Sequence, residues 1–154
     1  MHGDVLRYLF LNRSGVPKFA FICLQQVCGV DWSLVYDSCY HLLRGSVTQS
    51  TAQNNCLGKG GNLALVSSAE ELAAIQAFIQ SEGIGSTGVW VDGSDAAEEG
   101  VWRTASGEVM TYFGWTGVEP NGGTIQNCMM LWGVSVVDNG CYRADLAVAA
   151  LCEL

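Results

Sequence analysis

Residues 67–85 read Ser-Ser-Ala-Glu-Glu-Leu-Ala-Ala-Ile-Gln-Ala-Phe-Ile-Gln-Ser-Glu-Gly-Ile-Gly, and this stretch divides the chain. Ser67 with Glu70 three residues later has the spacing of a capping box, which starts a helix. Leu72, Ile75, Phe78 and Ile79 recur at helical spacing and mark one buried face. Gly83 supplies a stop. Upstream, Thr48 to Leu57 reads as a second helix, with Thr48, Ser50 or Thr51 as cap and Gly58, Gly60 and Gly61 at its exit. Before that, Trp32 to Tyr40 alternates aromatic and polar residues, the pattern of a strand or hairpin, between Cys28 and Cys39. Nothing after Gly85 has helical period. Val89-Trp90-Val91 is a short apolar strand, and Val101 to Arg103 and Val109 to Phe113 read as hairpin arms around Ser106-Gly107. Gly114 to Asn127 is a long Gly-rich polar loop, of the kind that usually carries function. Cys128 to Trp132, Val134 to Val137 and Ala147 to Cys152 are the remaining strands. Strands, two helices and then only strands make an α+β fold.

The composition sets the class of partner. The chain has 154 residues and a formal net charge of -8, which argues for one domain and against a phosphate-backbone partner. With 49% apolar and only 14% charged residues it is not a disordered chain. Nineteen glycines against two prolines point to many tight turns, and the five tryptophans to core anchors. Seven cysteines in this length indicate disulfides and an oxidising compartment, with one thiol left over.

The charge is unevenly distributed. Residues 1–27 carry a net of +2 and residues 28–154 a net of -10, which places a boundary near Cys28 between an N-terminal extension and an acidic domain. The extension holds two apolar patches, Tyr8 to Leu11 and Phe19 to Leu24, split by a polar stretch. Neither is a convincing secretory core, and no run reaches the length of a membrane span. Asn12-Arg13-Ser14 is a glycosylation sequon.

Residues 28–154 resemble a long-form C-type lectin-like domain. The features are Cys28-Gly-Val-Asp-Trp32 with Cys39-Tyr40, Ala52-Gln-Asn-Asn-Cys56 with Gly60-Gly61-Asn62-Leu63-Ala64, and Trp90-Val91-Asp92-Gly93-Ser94-Asp95 at the family's core strand. Glu99-Gly100-Val101-Trp102, Gly114-Trp115, Glu119-Pro120-Asn121 and the cysteines 128, 141 and 152 follow in order. The resemblance implies two helices flanking antiparallel sheets, a long calcium and sugar loop, and the disulfides Cys28–Cys39, Cys56–Cys152 and Cys128–Cys141. Spacing alone leaves 15 pairings of six cysteines open. Cys23 remains over, either as a buried free thiol or as an intermolecular link.

The resemblance also implies a calcium site. Glu119 and Asn121 match the acid and amide of a mannose-type tripeptide around a cis proline. Gln126 stands where the family has an acid, and Val136-Val137-Asp138 where it has Trp-Asn-Asp. Asp138 keeps the acid, Val137 loses the amide, and Asn139 is the nearest substitute. The implied set is therefore Glu119, Asn121, Gln126, Asp138 and Asn139 for Ca2+, with Glu119, Asn121 and Asp138 also meeting a mannose-type glycan. Carboxylates fall from three to two, so calcium should bind more weakly than in a fully matched relative. Glu-Pro-Asn and Asp138-Asn139-Gly140 also read as ordinary turns. Asp92, Asp95, Glu98 and Glu99 form an acidic cluster that reads as a solvated face.

No catalytic motif is present. His2 and His41 have no acid or nucleophile near them in sequence, and Gly58-Lys59-Gly60 lacks phosphate-loop spacing. The chain therefore reads as a binding protein and not as an enzyme. Two readings follow. One is a secreted, calcium-dependent, mannose-type lectin that self-associates through residues 1–27 and Cys23, since single shallow sites need multivalency. The other is a matrix or filament subunit, structural or protein-binding, of the same fold without sugar binding.

Overall fold

The computed structural model describes residues 28–154. The extension, the Asn12 sequon, the apolar patches before Cys28 and Cys23 lie outside the described residues.

The chain opens with a hairpin, β1 (Ser33–Val35) and β2 (Ser38–Arg44), and passes into helix α1 (Gln49–Gly58). Thr48 caps α1: its hydroxyl accepts from the Thr51 N–H at 3.3 Å. The helix exit is tight. A Cβ on Gly61 would collide with the Glu153 carbonyl and the Trp32 ring, so glycine lets the exit lie directly on the last strand. The two-residue strand β3 (Asn62–Leu63), not anticipated from sequence, pairs with that strand.

Helix α2 (Ala69–Ser81) starts one residue later than the capping pattern predicts. Ser68, not Ser67, is the N-cap, and its hydroxyl accepts from the Glu71 N–H at 3.1 Å. Burial sets this register. Glu71, Leu72, Ile75 and Ile79 face inward, whereas Glu70 is exposed. The Glu71 carboxylate accepts from the Ser67 N–H, the Ser67 hydroxyl and the Tyr40 hydroxyl, each at 2.7 Å. A start at Ser67 would bring Glu70 rather than Glu71 into this three-donor cradle. Gly83, at φ 76°, ends the helix as its sequence implies, and the Ile84 N–H reaches back to the Ile79 carbonyl.

The rest is β4 (Gly88–Ser94), the long loop, β5 (Cys128–Trp132), β6 (Ser135–Asn139) and β7 (Ala147–Glu153). The sheet order is β1-β2-β7-β4-β5-β6, with β3 on β7. Every pairing is antiparallel except β4 with β7, which is parallel. The chain leaves β4, forms the β5–β6 hairpin on one side, and returns on the other side running in the original direction. The expected hairpin arms at Val101 to Arg103 and Val109 to Phe113 shrink to two single bridges, Ser94 with Arg103 and Arg103 with Val109. Trp102 and Met110 turn into the core there, and Trp102 packs edge-on against Trp115 at 4.8 Å. Core burial, rather than a strand ladder, orders that segment.

Trp90 is fully buried, and its indole N–H donates to the Val47 carbonyl at 2.7 Å. The disulfides are Cys28–Cys39, Cys56–Cys152 and Cys128–Cys141, the set implied by the resemblance. The second ties α1 to β7 across 96 residues.

Candidate functional site

The long loop leaves the core at Trp115 and is pinned to β6 at its base. The Thr116 N–H donates to the Val136 carbonyl at 3.2 Å, and the Val136 N–H donates to the Thr116 hydroxyl at 3.0 Å. Asp138 therefore lies beneath the loop, buried to 4% exposure. Its two oxygens accept the Asn121 N–H at 3.1 Å and the Gly122 N–H at 2.8 Å. One carboxylate thus clamps two successive loop amides.

The Glu119–Pro120 peptide is cis. The Asn121 side-chain amide donates to Glu119 Oε1 at 2.9 Å, while Glu119 Oε2 is buried with no hydrogen-bond partner. Gln126 folds back over the loop: a Cβ on Gly122 would overlap the Gln126 amide oxygen. Glu119, Asn121, Gln126 and Asp138 are thus gathered around one loop. Asn139 is not with them. Its side-chain oxygen accepts from the Gly140 N–H at 2.8 Å and its nitrogen lies 4.0 Å from Met130 Sδ, on the strand face opposite Asp138. A shift to replace the missing amide of Val137 would have to turn a strand residue through the sheet.

Sequence reasoning left two further oxygens unassigned. Asp95 Oδ1 and Asn127 Oδ1 are both buried without a partner, although Asp95 Oδ2 accepts the Gly100 N–H at 2.9 Å. The Asp95 N–H donates to the Asn127 carbonyl at 3.2 Å, which ties the two residues together. Asp95 belongs to the acidic cluster read as a solvated face, but it is 4% exposed. Only its fixed place behind the loop reveals the burial; no sequence signal marks it. Among the described residues no three His, Cys, Asp or Glu side chains form a metal-holding group.

Among the described residues, three carboxyls sit above their ordinary range. Burial, then the neighbouring Asp138, pushes Glu119 from 4.5 up to about 6. Burial raises Asp92 above 3.8, against hydrogen bonds from the Ala105 and Gly93 N–H groups. Burial also raises Glu153 above 4.5. A carboxyl with a raised folded pKa favours folding below its unfolded pKa, and that contribution is lost as pH rises through the folded value. The thermal midpoint of the calcium-free domain is therefore expected to fall as pH rises from 4.5 to about 6. Calorimetric melts across that window check this, and a midpoint that climbs throughout it contradicts it.

The lectin C-type domain family matches residues 45–153. The chain belongs to the C-type lectin domain family. A tetranectin-like protein of Carcharhinus perezii is 30% identical over 106 residues, covering 69% of this chain and 63% of the relative. The galactose-specific lectin nattectin of Thalassophryne nattereri is 31% identical over 94 residues, covering 61% and 59%. The matches thus span less than two thirds of these curated relatives. Among solved structures, a calcium-independent type II antifreeze protein superimposes with a TM-score of 0.70 at 27% identity, covering 83% of this chain and 94% of that one. The family thus accounts for the α+β fold stapled by three disulfides, and its members with this fold include a sugar-binding lectin and a protein called calcium-independent. Among the described residues no helix of this C-type lectin domain is long and apolar enough to cross a membrane.

Proposed function

We propose that this C-type lectin domain binds glycans with mannose-type vicinal hydroxyls, weakly and with the help of calcium, as part of a secreted, self-associating protein. The observation that supports this is Glu119 Oε2, a buried acceptor oxygen on the long loop without a donor. An acceptor without a donor is costly, and a hard cation that takes oxygen ligands relieves it. The residues present fit such an ion. Glu119 and Asp138 supply carboxylates, and Asn121 and Gln126 supply amide oxygens; Val137 supplies none. When bound, calcium would coordinate two neighbouring sugar hydroxyls. Glu119 and Asp138 would accept hydrogen bonds from those hydroxyls, and the Asn121 amide would donate to one of them. The order Glu119-Pro120-Asn121 supports mannose-type rather than galactose-type geometry.

With two carboxylates, calcium is expected to bind with a Kd at or above about 1 mM, the weak end of extracellular sites. Calorimetric titration with calcium and then mannose tests the reading. It predicts saturable calcium heat, its loss in Glu119→Gln, and mannose heat only when calcium is present. A flat calcium trace up to about 10 mM, beyond the extracellular range, rejects it.

One observation favours the second reading, a structural or protein-binding subunit without sugar binding. Asp138 already satisfies both loop amides, so the loop closes on itself without an ion. In that case multivalent assembly through residues 1–27 and Cys23 would carry the function. Gel mobility with and without reductant tests the covalent link, and a monomer in both lanes removes it.

A further inference from the structure

We propose that Asn121 is a site of spontaneous deamidation whose rate is governed by the Asp138 clamp. Asn121 is followed by Gly122, which has no side chain to hinder approach to the neighbouring amide. It is exposed, on the long loop, in reach of water. The reaction needs no partner but water. The Gly122 nitrogen gives up its proton to a solvent base and forms a bond to Asn121 Cγ. Nδ2 takes a proton from the solvent acid so formed, the Cγ–Nδ2 bond breaks and ammonia leaves, producing a cyclic imide. Water then opens the imide at either carbonyl, giving aspartate or isoaspartate.

The native loop withholds each reacting group. The Gly122 N–H is held by Asp138 Oδ2 at 2.8 Å, so its proton and nitrogen are committed. The Asn121 N–H is held by the other oxygen of the same carboxylate at 3.1 Å, which stops the intervening backbone from rotating. The Asn121 side chain is held by Glu119 Oε1 at 2.9 Å. A carboxylate is too weak a base to take the amide proton outright, so the contact restrains the nitrogen and does not activate it.

A second Asn-Gly pair serves as an internal control. Asn139 is 8% exposed at the end of β6, and the Gly140 N–H points at its side-chain oxygen at 2.8 Å. That contact aims a hydrogen, not the nitrogen lone pair, at the amide, in a site closed to water. Asn139 therefore stays intact while Asn121 ages.

The product changes the site's chemistry. Conversion removes the donor to Glu119 and places a third carboxylate beside Glu119 and Asp138. The isoaspartate form adds a backbone methylene, which shifts the Gly122 N–H off Asp138. None of this depends on calcium or sugar binding, so failure of the lectin reading leaves it standing.

The test incubates the full chain in mildly alkaline buffer and follows both Asn-Gly peptides by mass spectrometry, for wild type and Asp138→Asn. A hydrogen bond to a charged group restrains the nitrogen enough that losing it should speed conversion at Asn121 by about ten- to hundredfold, with Asn139 unchanged. An equal or slower rate in the variant overturns the proposal. Simultaneous conversion of Asn139 would signal unfolding of the variant. The decision then rests on hydrogen exchange at the Gly122 amide in wild type: slow exchange supports the clamp, and exchange at the rate of an open loop overturns it.

Discussion

Replacing Cys56 and Cys152 together by alanine lowers the stability of the domain by about 4–5 kcal/mol, more than removal of either other disulfide. The separation between the two cysteines is 96 residues, against 11 for Cys28–Cys39 and 13 for Cys128–Cys141. A longer closed loop removes more freedom from the unfolded chain, so the short loops are worth only about 3 kcal/mol each in the same entropic treatment. The long link runs through the buried cluster in which Ala52 of α1 packs with Ala150 of β7. Cys56 is on α1 and Cys152 on β7, and both are fully buried. Denaturant unfolding of the three double variants checks the order. Equal losses for all three would show that the unfolded chain is already compact, so that loop length does not govern the effect.

Removing the Glu71 carboxylate has the second large effect. Glu71→Ala is expected to cost about 3–5 kcal/mol, since each buried neutral donor left without its acceptor costs about 1–3 kcal/mol. The Ser67 N–H and the Ser67 hydroxyl lose their acceptor outright, and the Tyr40 hydroxyl keeps only the longer contact to Glu153 Oε1 at 3.5 Å. Tyr40 is itself fully buried, so its hydroxyl has no route to water. Burial and the hydrogen bond to Glu71 hold the Tyr40 hydroxyl well above its ordinary range, so it stays protonated and donating. Glu70→Ala is the matched control. Glu70 is exposed in the first turn, where an acid is worth at most about 1 kcal/mol through the helix dipole. Equal effects at the two positions would restore the Ser67–Glu70 register and contradict the helix start seen here.

That comparison shows where sequence reading stops. The helix itself was legible, because Leu72, Ile75 and Ile79 recur with helical period whatever surrounds them. Which of two adjacent serines caps it was not, because Ser67-Ser68 is followed by Glu70-Glu71 and both offsets satisfy the pattern. Tyr40, 31 residues away on β2, settles the choice by donating its hydroxyl to Glu71 at 2.7 Å, while Glu70 stays exposed. The hairpin arms near Ser106 failed for a related reason. Short arms around the Ser106-Gly107 turn make strands only if the backbone finds a partner, and there Trp102 and Met110 are drawn into the core instead.

At the long loop, Glu119, Asn121 and Asp138 were legible through their resemblance to a family pattern. Their roles toward one another were not. Asp138, which the resemblance makes a ligand for ion and sugar, also clamps the Asn121 and Gly122 amides, a contact that exists only because β6 runs beneath the loop. Asn139, next to Asp138 in sequence, is the nearest substitute for the amide that Val137 lacks. In a strand, however, neighbouring side chains point to opposite faces, so one step in sequence becomes the full thickness of the sheet.

By itself, then, the sequence determined what depends on local period and composition: two helices, short strands, a long glycine-rich loop, and an acidic chain rich in cysteine. Tertiary structure alone decided which oxygens are sealed from water, as with Asp95, and which loop amides are held, as with Gly122. Those properties depend on what packs against a residue from distant segments, and residue order along the chain does not encode that distance in any short pattern.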